Sequence, residues 1–327
     1  MLLALLKKSR KAGYFLFPFF IGVAWLKHLL EPFASRLIEG EAGFGLYGII
    51  HDITGEDLRL KTIIALFLLI VNGILLFRIY REYLFPNTWS MLPAVLYVLL
   101  TSGNPGYQSL HPVWLATPFL LASIDRLFAA FDIRKPYGYM FNSGFFLGVG
   151  TLFYPFLLGV FPAFLAGSRM MGRDARWREP ALLFLGMVIP WIFMSSAYFL
   201  TDRFTELAGS LVSMVSSDKG SILSEIPLMV YFVFTGLLTL AGSFMIIRQQ
   251  DNKKVSFRKF YTFFFFLFLF STLSFILVPA VNTAMILVVA VPVTFLLSNY
   301  FDSLKQKYTG EVIFLLLIAM VVFIQMM

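Results

Sequence analysis

The chain has 327 residues, of which 59% are hydrophobic and 13% charged, with 39 Phe, no Cys and a formal net charge of +8. A soluble chain is roughly 25% charged, and 26 basic plus 18 acidic side chains cannot cover a soluble fold of this size without large exposed apolar patches. The composition excludes a soluble enzyme, disulfides, thiolate metal sites and cysteine nucleophiles, and the positive charge reads as loop anchoring rather than nucleic-acid binding.

In chain order, apolar segments fall at about 13–30, 61–80, 88–101, 111–131, 139–152, 153–167, 181–200, 227–247, 261–278, 281–300 and 311–327. A crossing of a ~30 Å hydrocarbon core takes ~20 apolar residues. The fold expected is all-α: a polytopic transmembrane bundle of about 11 crossings (10–12), forming one integral membrane domain over 1–327. The first segment follows a basic cluster, as in a signal peptide, but no small-residue cleavage site comes after it. It reads as a retained helix.

Charge sets the orientation. With the N-terminus cytoplasmic, 20 of the 26 bases fall in inner segments, and Lys27, Arg36, Arg59, Lys61, Arg203 and Lys219 fall outside. That is a positive-inside bias. Ten of the 18 carboxylates fall outside, and an odd number of crossings puts the C-terminus there too. Residues 139–167 must cross twice, yet 29 helical residues span only ~44 Å, against ~60 Å for two full crossings. A short tilted pair or a re-entrant hairpin turning near Gly150–Pro155 is expected. Segment 88–101 is short as well. Trp25, Trp89, Trp114 and Trp177 lie near helix ends, as aromatic-belt residues do.

Two outer loops are long, Glu31 to about Leu60 and Thr201 to Ile226. In the first, Phe33, Leu37 and Ile38, then Leu46, Ile49, Ile50 and Ile53, fall at helical spacing. They predict two short amphipathic helices lying in the interface. Gly43-Phe44-Gly45-Leu46-Tyr47-Gly48 matches GxGxxG but follows no strand, so it reads as a turn rather than a nucleotide loop. Gly144 and Gly148 form a GxxxG, which reads as close helix packing.

All three histidines, His28, His51 and His111, map to the outer side, beside most of the carboxylates. No Asp, Glu, Lys or Arg lies near the middle of any segment, which weighs against a proton-coupled pump. Asp125 and Arg126 fall at an inner helix end, spaced to pair or to snorkel. Asn72, Asn142, Asn282 and Gln325 read as interhelical glue.

One helix, a long acidic outer loop, many helices with some unusually short, and a second outer loop placed as a lid together resemble the GT-C glycosyltransferases. These membrane enzymes take sugars from polyprenyl-phosphate donors, and the resemblance covers about residues 1–230, with 231–327 as additional C-terminal helices. Phe141-Asn142-Ser143-Gly144-Phe145-Phe146-Leu147-Gly148, continuing to Leu152-Phe153-Tyr154-Pro155, also resembles an uncharacterised family of Bacteroidota inner-membrane proteins. The first resemblance implies a first-loop carboxylate acting as base or metal ligand. Asp52 is the first candidate, then Glu41 and Glu39. His51, His111, Arg36, Tyr107 and Arg203 are candidates for holding the substrate and its phosphate. The sequence departs from the family in having no Asp-x-Asp in the first loop, where the nearest sets are Glu39-Gly40-Glu41, His51-Asp52 and Glu56-Asp57. It leaves open whether there is no cofactor or a divalent metal.

Three functions follow as expectations. The first is glycosyl transfer from a polyprenyl-phosphate lipid at the periplasmic face of a bacterial inner membrane. The second is a non-enzymatic subunit that scaffolds an envelope assembly or secretion complex, with membrane-protein partners. The third is a lipid or small-molecule transporter.

Overall fold

The computed structural model describes residues 3, 5–6, 10–85, 90–173, 177–216, 226–248, 254–304 and 307–326. Among these residues the regular secondary structure is all helical, with no strand. The helices are α1 (Arg10–Leu30), α2 (Gly45–Thr54), α3 (Leu58–Ile79), α4 (Leu92–Ser102), α5 (Pro112–Ala129), α6 (Tyr137–Phe153) and α7 (Phe161–Met171). They continue with α8 (Arg178–Leu200), α9 (Phe204–Ser216), α10 (Ile226–Arg248), α11 (Val255–Leu277), α12 (Met285–Ser303) and α13 (Lys307–Met326). Six are long and apolar enough to cross a membrane: α1, α3 with its π-helical continuation to Leu84, α8, α11, α12 and α13. Lys219 and Trp89 lie outside the described residues.

Contacts sort the helix ends into two sets. At one end, Lys27 Nζ donates to the Gln325 carbonyl at 3.0 Å and Gln325 Nε2 to the Ser102 carbonyl at 3.1 Å. Gln108 Nε2 reaches the Ala24 carbonyl there at 3.1 Å. At the opposite end, Leu3 N donates to Glu311 Oε1 at 3.3 Å, Tyr80 bonds Asp302, and Tyr83 bonds Asp125. Leu3 pairs with the start of α13 and Lys27 with its finish, so α1 and α13 run in the same direction.

The packing follows from where apolar groups meet protein rather than lipid. On α3 the buried positions Thr62, Ala65, Leu69, Asn72, Leu76 and Ile79 form one stripe at 3–4-residue spacing. Ile63, Phe67 and Ile74, equally apolar, face outward. Outward Phe184, Ile192, Phe193 and Phe199 on α8 repeat this. Exposed apolar surface on that scale is tolerable only in lipid. By contrast, every one of the 11 residues of α4 is buried. At ~16 Å it spans about half of a ~30 Å hydrocarbon core, and α1, α3 and α12 pack around it.

The stretch expected to cross twice does form a hairpin. Its helices begin earlier and end later than the hydropathy suggests, over Tyr137–Met171, with the turn at Tyr154. The return arm opens with the 3-10 helix Pro155–Val160, which rises ~2.0 Å per residue instead of ~1.5 Å. The arms therefore reach ~25 Å and ~28 Å, so each comes close to a full crossing. Asp132 N bonds the Met171 carbonyl at 3.1 Å, which brings the hairpin back to the level where it started.

Two expectations need correction. Residues 32–38, read as the first interfacial helix, carry no helix. Pro32 opens the stretch, and its polar groups bond the 106–110 loop instead: Ser35 Oγ to the Leu110 carbonyl at 2.8 Å and Arg36 N to the Gly106 carbonyl at 3.4 Å. The second expected helix forms as α2. Trp25 and Trp114 are not belt residues. Both are fully buried and meet edge-on, with ring centroids 6.0 Å apart, whereas Trp177 is exposed.

Candidate functional site: a buried Glu41–His111 pair

The loop between α1 and α2 turns back on itself at residues 38–41. Glu41 N donates to the Ile38 carbonyl at 3.1 Å, and Ile38 N donates to Glu41 Oε2 at 2.9 Å. Gly40 sits in the left-handed region with φ +88, and a Cβ there would collide with Ser213 and with the Ser210 carbonyl of α9. The turn therefore requires glycine, and α9 packs directly over it. Gly45, at φ +53, starts α2 where a Cβ would lie 2.5 Å from the Leu152 carbonyl. In the GxGxxG stretch, this close approach to the α6 hairpin is the part Gly45 plays.

The turn delivers Glu41 into the bundle. His111 comes from the other side, as the N-cap of α5, where its Nδ1 accepts from Val113 N at 3.3 Å. That bond assigns the ring proton to Nε2. His111 Nε2 lies 3.3 Å from Glu41 Oε2, and both side chains have 0% exposure. The contact lacks the alignment of a hydrogen bond, and Glu41 Oε1, His111 Nε2 and the Tyr154 hydroxyl are left without hydrogen-bond partners. A buried carboxylate is costly unless paired, and a buried polar atom without a partner marks a strained or functional position.

Tyrosines surround the pair. The Tyr107 ring stands edge-on to His111 at 5.0 Å, and the Tyr154 ring lies 6.2 Å away on the hairpin turn. Tyr107 shares a 2.7 Å hydrogen bond with Thr283, and Tyr47 donates to the Leu110 carbonyl at 3.3 Å. Burial, and secondarily the Glu41 charge, raises the Tyr47 phenol above its ordinary range. Tyr107 is pushed up to about 12, chiefly by burial, with the Thr283 hydrogen bond opposing and Glu41 adding. Both phenols stay protonated at neutral pH and can act as donors.

The structure brings Glu41, His111 and Tyr107 together, with Arg36 held at the rim by its backbone bond to Gly106. Glu39 and Asp52 are exposed, and His51 is half-buried beside Tyr47. Arg203 lies on the surface, tied to Glu206 at 2.7 Å. Of the three acids singled out, only Glu41 is enclosed with a partner. Tyr154 and Thr283 were not recognised as site residues in the sequence. The Tyr-Pro at the hairpin turn is a signal for the first, and nothing local marks the second.

Near Thr283, Ile286 enters the wall of an apolar cavity of about 290 Å³ between α4, α10, α11 and α12, with Leu100, Tyr231, Phe268, Phe275 and Ala290. Among the described residues no three His, Asp or Glu side chains converge as metal ligands. Glu41 and His111 alone do not make a protein-held site for a divalent ion.

Residues 114–327 match the model of a family of unknown function, DUF6427. The match begins just after His111, so the loop that carries Glu41 lies before it. No curated protein and no solved structure matches the chain.

Proposed function

We propose, from the premise that the chain belongs to the DUF6427 family of unknown function, that it is a bacterial inner-membrane protein whose working centre is the Glu41–His111 pair, facing the periplasm. Eleven of the helices, all but α2 and α9, would cross, α4 as a short span walled by its neighbours, with the N-terminus cytoplasmic. The placement of 20 of the 26 bases supports this orientation. The parallel course of α1 and α13, which demands an odd number of crossings, supports the count.

The activity proposed is group transfer from a polyprenyl-phosphate-linked sugar, as the GT-C-like layout implies. One observation carries it: a buried carboxylate with an unpartnered Oε1 whose Oε2 lies 3.3 Å from an imidazole Nε2 that is itself without a hydrogen-bond partner. Glu41 Oε1 would take the proton of the acceptor hydroxyl. As the acceptor oxygen bonds the anomeric carbon, the carbon–oxygen bond to the phosphate breaks and its electron pair leaves with the phosphate. His111 Nε2–H and Arg36 would answer that developing charge. The apolar cavity offers room for part of the lipid chain.

A second reading, a non-enzymatic subunit of an envelope assembly, is favoured by the complete burial of the pair. There the two residues would serve only to fasten the first loop to α5. Purification of the wild-type and Glu41→Gln proteins, with mass spectrometry of co-purifying lipids and proteins, separates the two. The enzyme reading expects a bound polyprenyl phosphate, and transfer activity reduced ~10²-fold or more in the variant. A stoichiometric protein partner, no such lipid and an indifferent variant would replace it with the second reading.

A further inference from the structure

A second cavity, of about 260 Å³, opens at the opposite end of the bundle between α3, α5 and α6. Its polar lining is Arg78, Asp125, Arg126 and Asn142, and its apolar walls include Leu75 and Phe146. We propose that this cavity binds the phosphate headgroup of an anionic phospholipid of the leaflet opposite the Glu41 site.

The charges favour an anion. Asp125 is already answered on both oxygens: Oδ1 accepts from Tyr83 at 3.2 Å and Oδ2 from Arg126 at 2.7 Å. Arg126 commits one nitrogen to that pair, and the rest of its donor fork remains available. Arg78 makes only a loose 3.5 Å contact with Glu82, with both side chains about half exposed, so an exposed pair of this kind holds it weakly. Asn142 is an exposed amide in the second turn of an apolar helix, where an outward-facing polar group needs a partner.

The surroundings favour a lipid over a free phosphate. Leu75 and Phe146 line the polar groups, and exposed Ile74 and Phe67 continue an apolar surface along α3. A molecule with a phosphate at one end and hydrocarbon at the other satisfies both parts. Basic pockets between helices at a cytoplasmic membrane face have this chemistry.

The test uses the full-length protein in neutral detergent and native mass spectrometry, with added phosphatidylglycerol or phosphatidylcholine. Arg78→Gln and Asn142→Ala are the variants, because both leave the Asp125–Arg126 pair intact. Phosphatidylglycerol should be retained where phosphatidylcholine is not, and Arg78→Gln should weaken that retention about fivefold. Asn142→Ala should weaken it too, whereas Glu41→Gln should retain the lipid as wild type does, which separates this site from the proposed active centre. Equal retention of the two lipids, unchanged retention in both cavity variants, or displacement by inorganic phosphate at matching concentration overturns the proposal.

Discussion

At the residue scale, Glu41 is the costliest side chain in the first loop to place. It has no exposed surface, one backbone N–H bond and an imidazole at 3.3 Å. Removing one partner of a buried pair typically costs about 3–5 kcal/mol, because the other is left alone. Glu41→Ala should lower the melting temperature of the purified protein clearly, by intrinsic fluorescence, while Glu41→Gln, which keeps the shape, should lower it less. Glu39→Gln and Asp52→Asn act on exposed groups, so each should stay within about 0.5 kcal/mol of wild type in the same assay. A large loss from either would mean that the first loop docks differently. Gly45→Ala forces a Cβ against the Leu152 carbonyl at positive φ. It should destabilise by roughly 2 kcal/mol or more, a larger effect than the same change at Gly22, where a Cβ meets nothing within 4 Å.

At the element scale, the contact between α6 and α8 shows what small residues permit. A Cβ on Gly144 would strike the Leu183 carbonyl, one on Gly148 the Met187 carbonyl, and one on Gly186 the Phe141 carbonyl. The two backbones touch along facing glycine notches. Gly144→Ala should therefore push the helices apart and cost roughly 1–3 kcal/mol, measured as lost thermal stability in detergent, with an unchanged melting curve counting against the contact. This packing was legible from Gly144 and Gly148 alone, because the GxxxG spacing is itself the mechanism. The hairpin turn was legible too, since residues 139–167 lie between two basic stretches and had to double back near Gly150–Pro155. Residues 32–38 were not. Phe33, Leu37 and Ile38 imitate a helical stripe, but the stretch is held open by bonds to Gly106 and Leu110, some seventy residues away, which no local pattern records.

At the scale of the whole molecule, segment length and charge foretold a helical membrane protein, because lipid leaves a chain few alternatives. Which acid would be buried could not be foretold. Glu41 and Asp52 sit on the same loop with similar neighbours, and only the Gly40 turn, the cover of α9 and the approach of His111 separate them. The aromatic belt failed for a related reason: Trp25 and Trp114 lie near helix ends in sequence but face each other across packed helices. The proposed topology predicts that a reporter fused after Met327 works only on the periplasmic side and one fused before Met1 only in the cytoplasm. Reporters that agree on one side at both ends would refute the odd number of crossings.

The short helix α4 has a consequence for how the protein is made. Eleven residues, all buried, cannot rest in lipid as an independent span. They need α12 as a neighbour, and the Ser102 carbonyl at the helix end needs the Gln325 side chain. Those partners leave the ribosome roughly 190 residues or more later, about 10–40 s at usual bacterial synthesis rates. During that interval one side of α4 lacks the protein surface that buries it in the finished fold. Chains truncated before α12 should therefore be cleared by membrane quality control rather than accumulate as a smaller bundle.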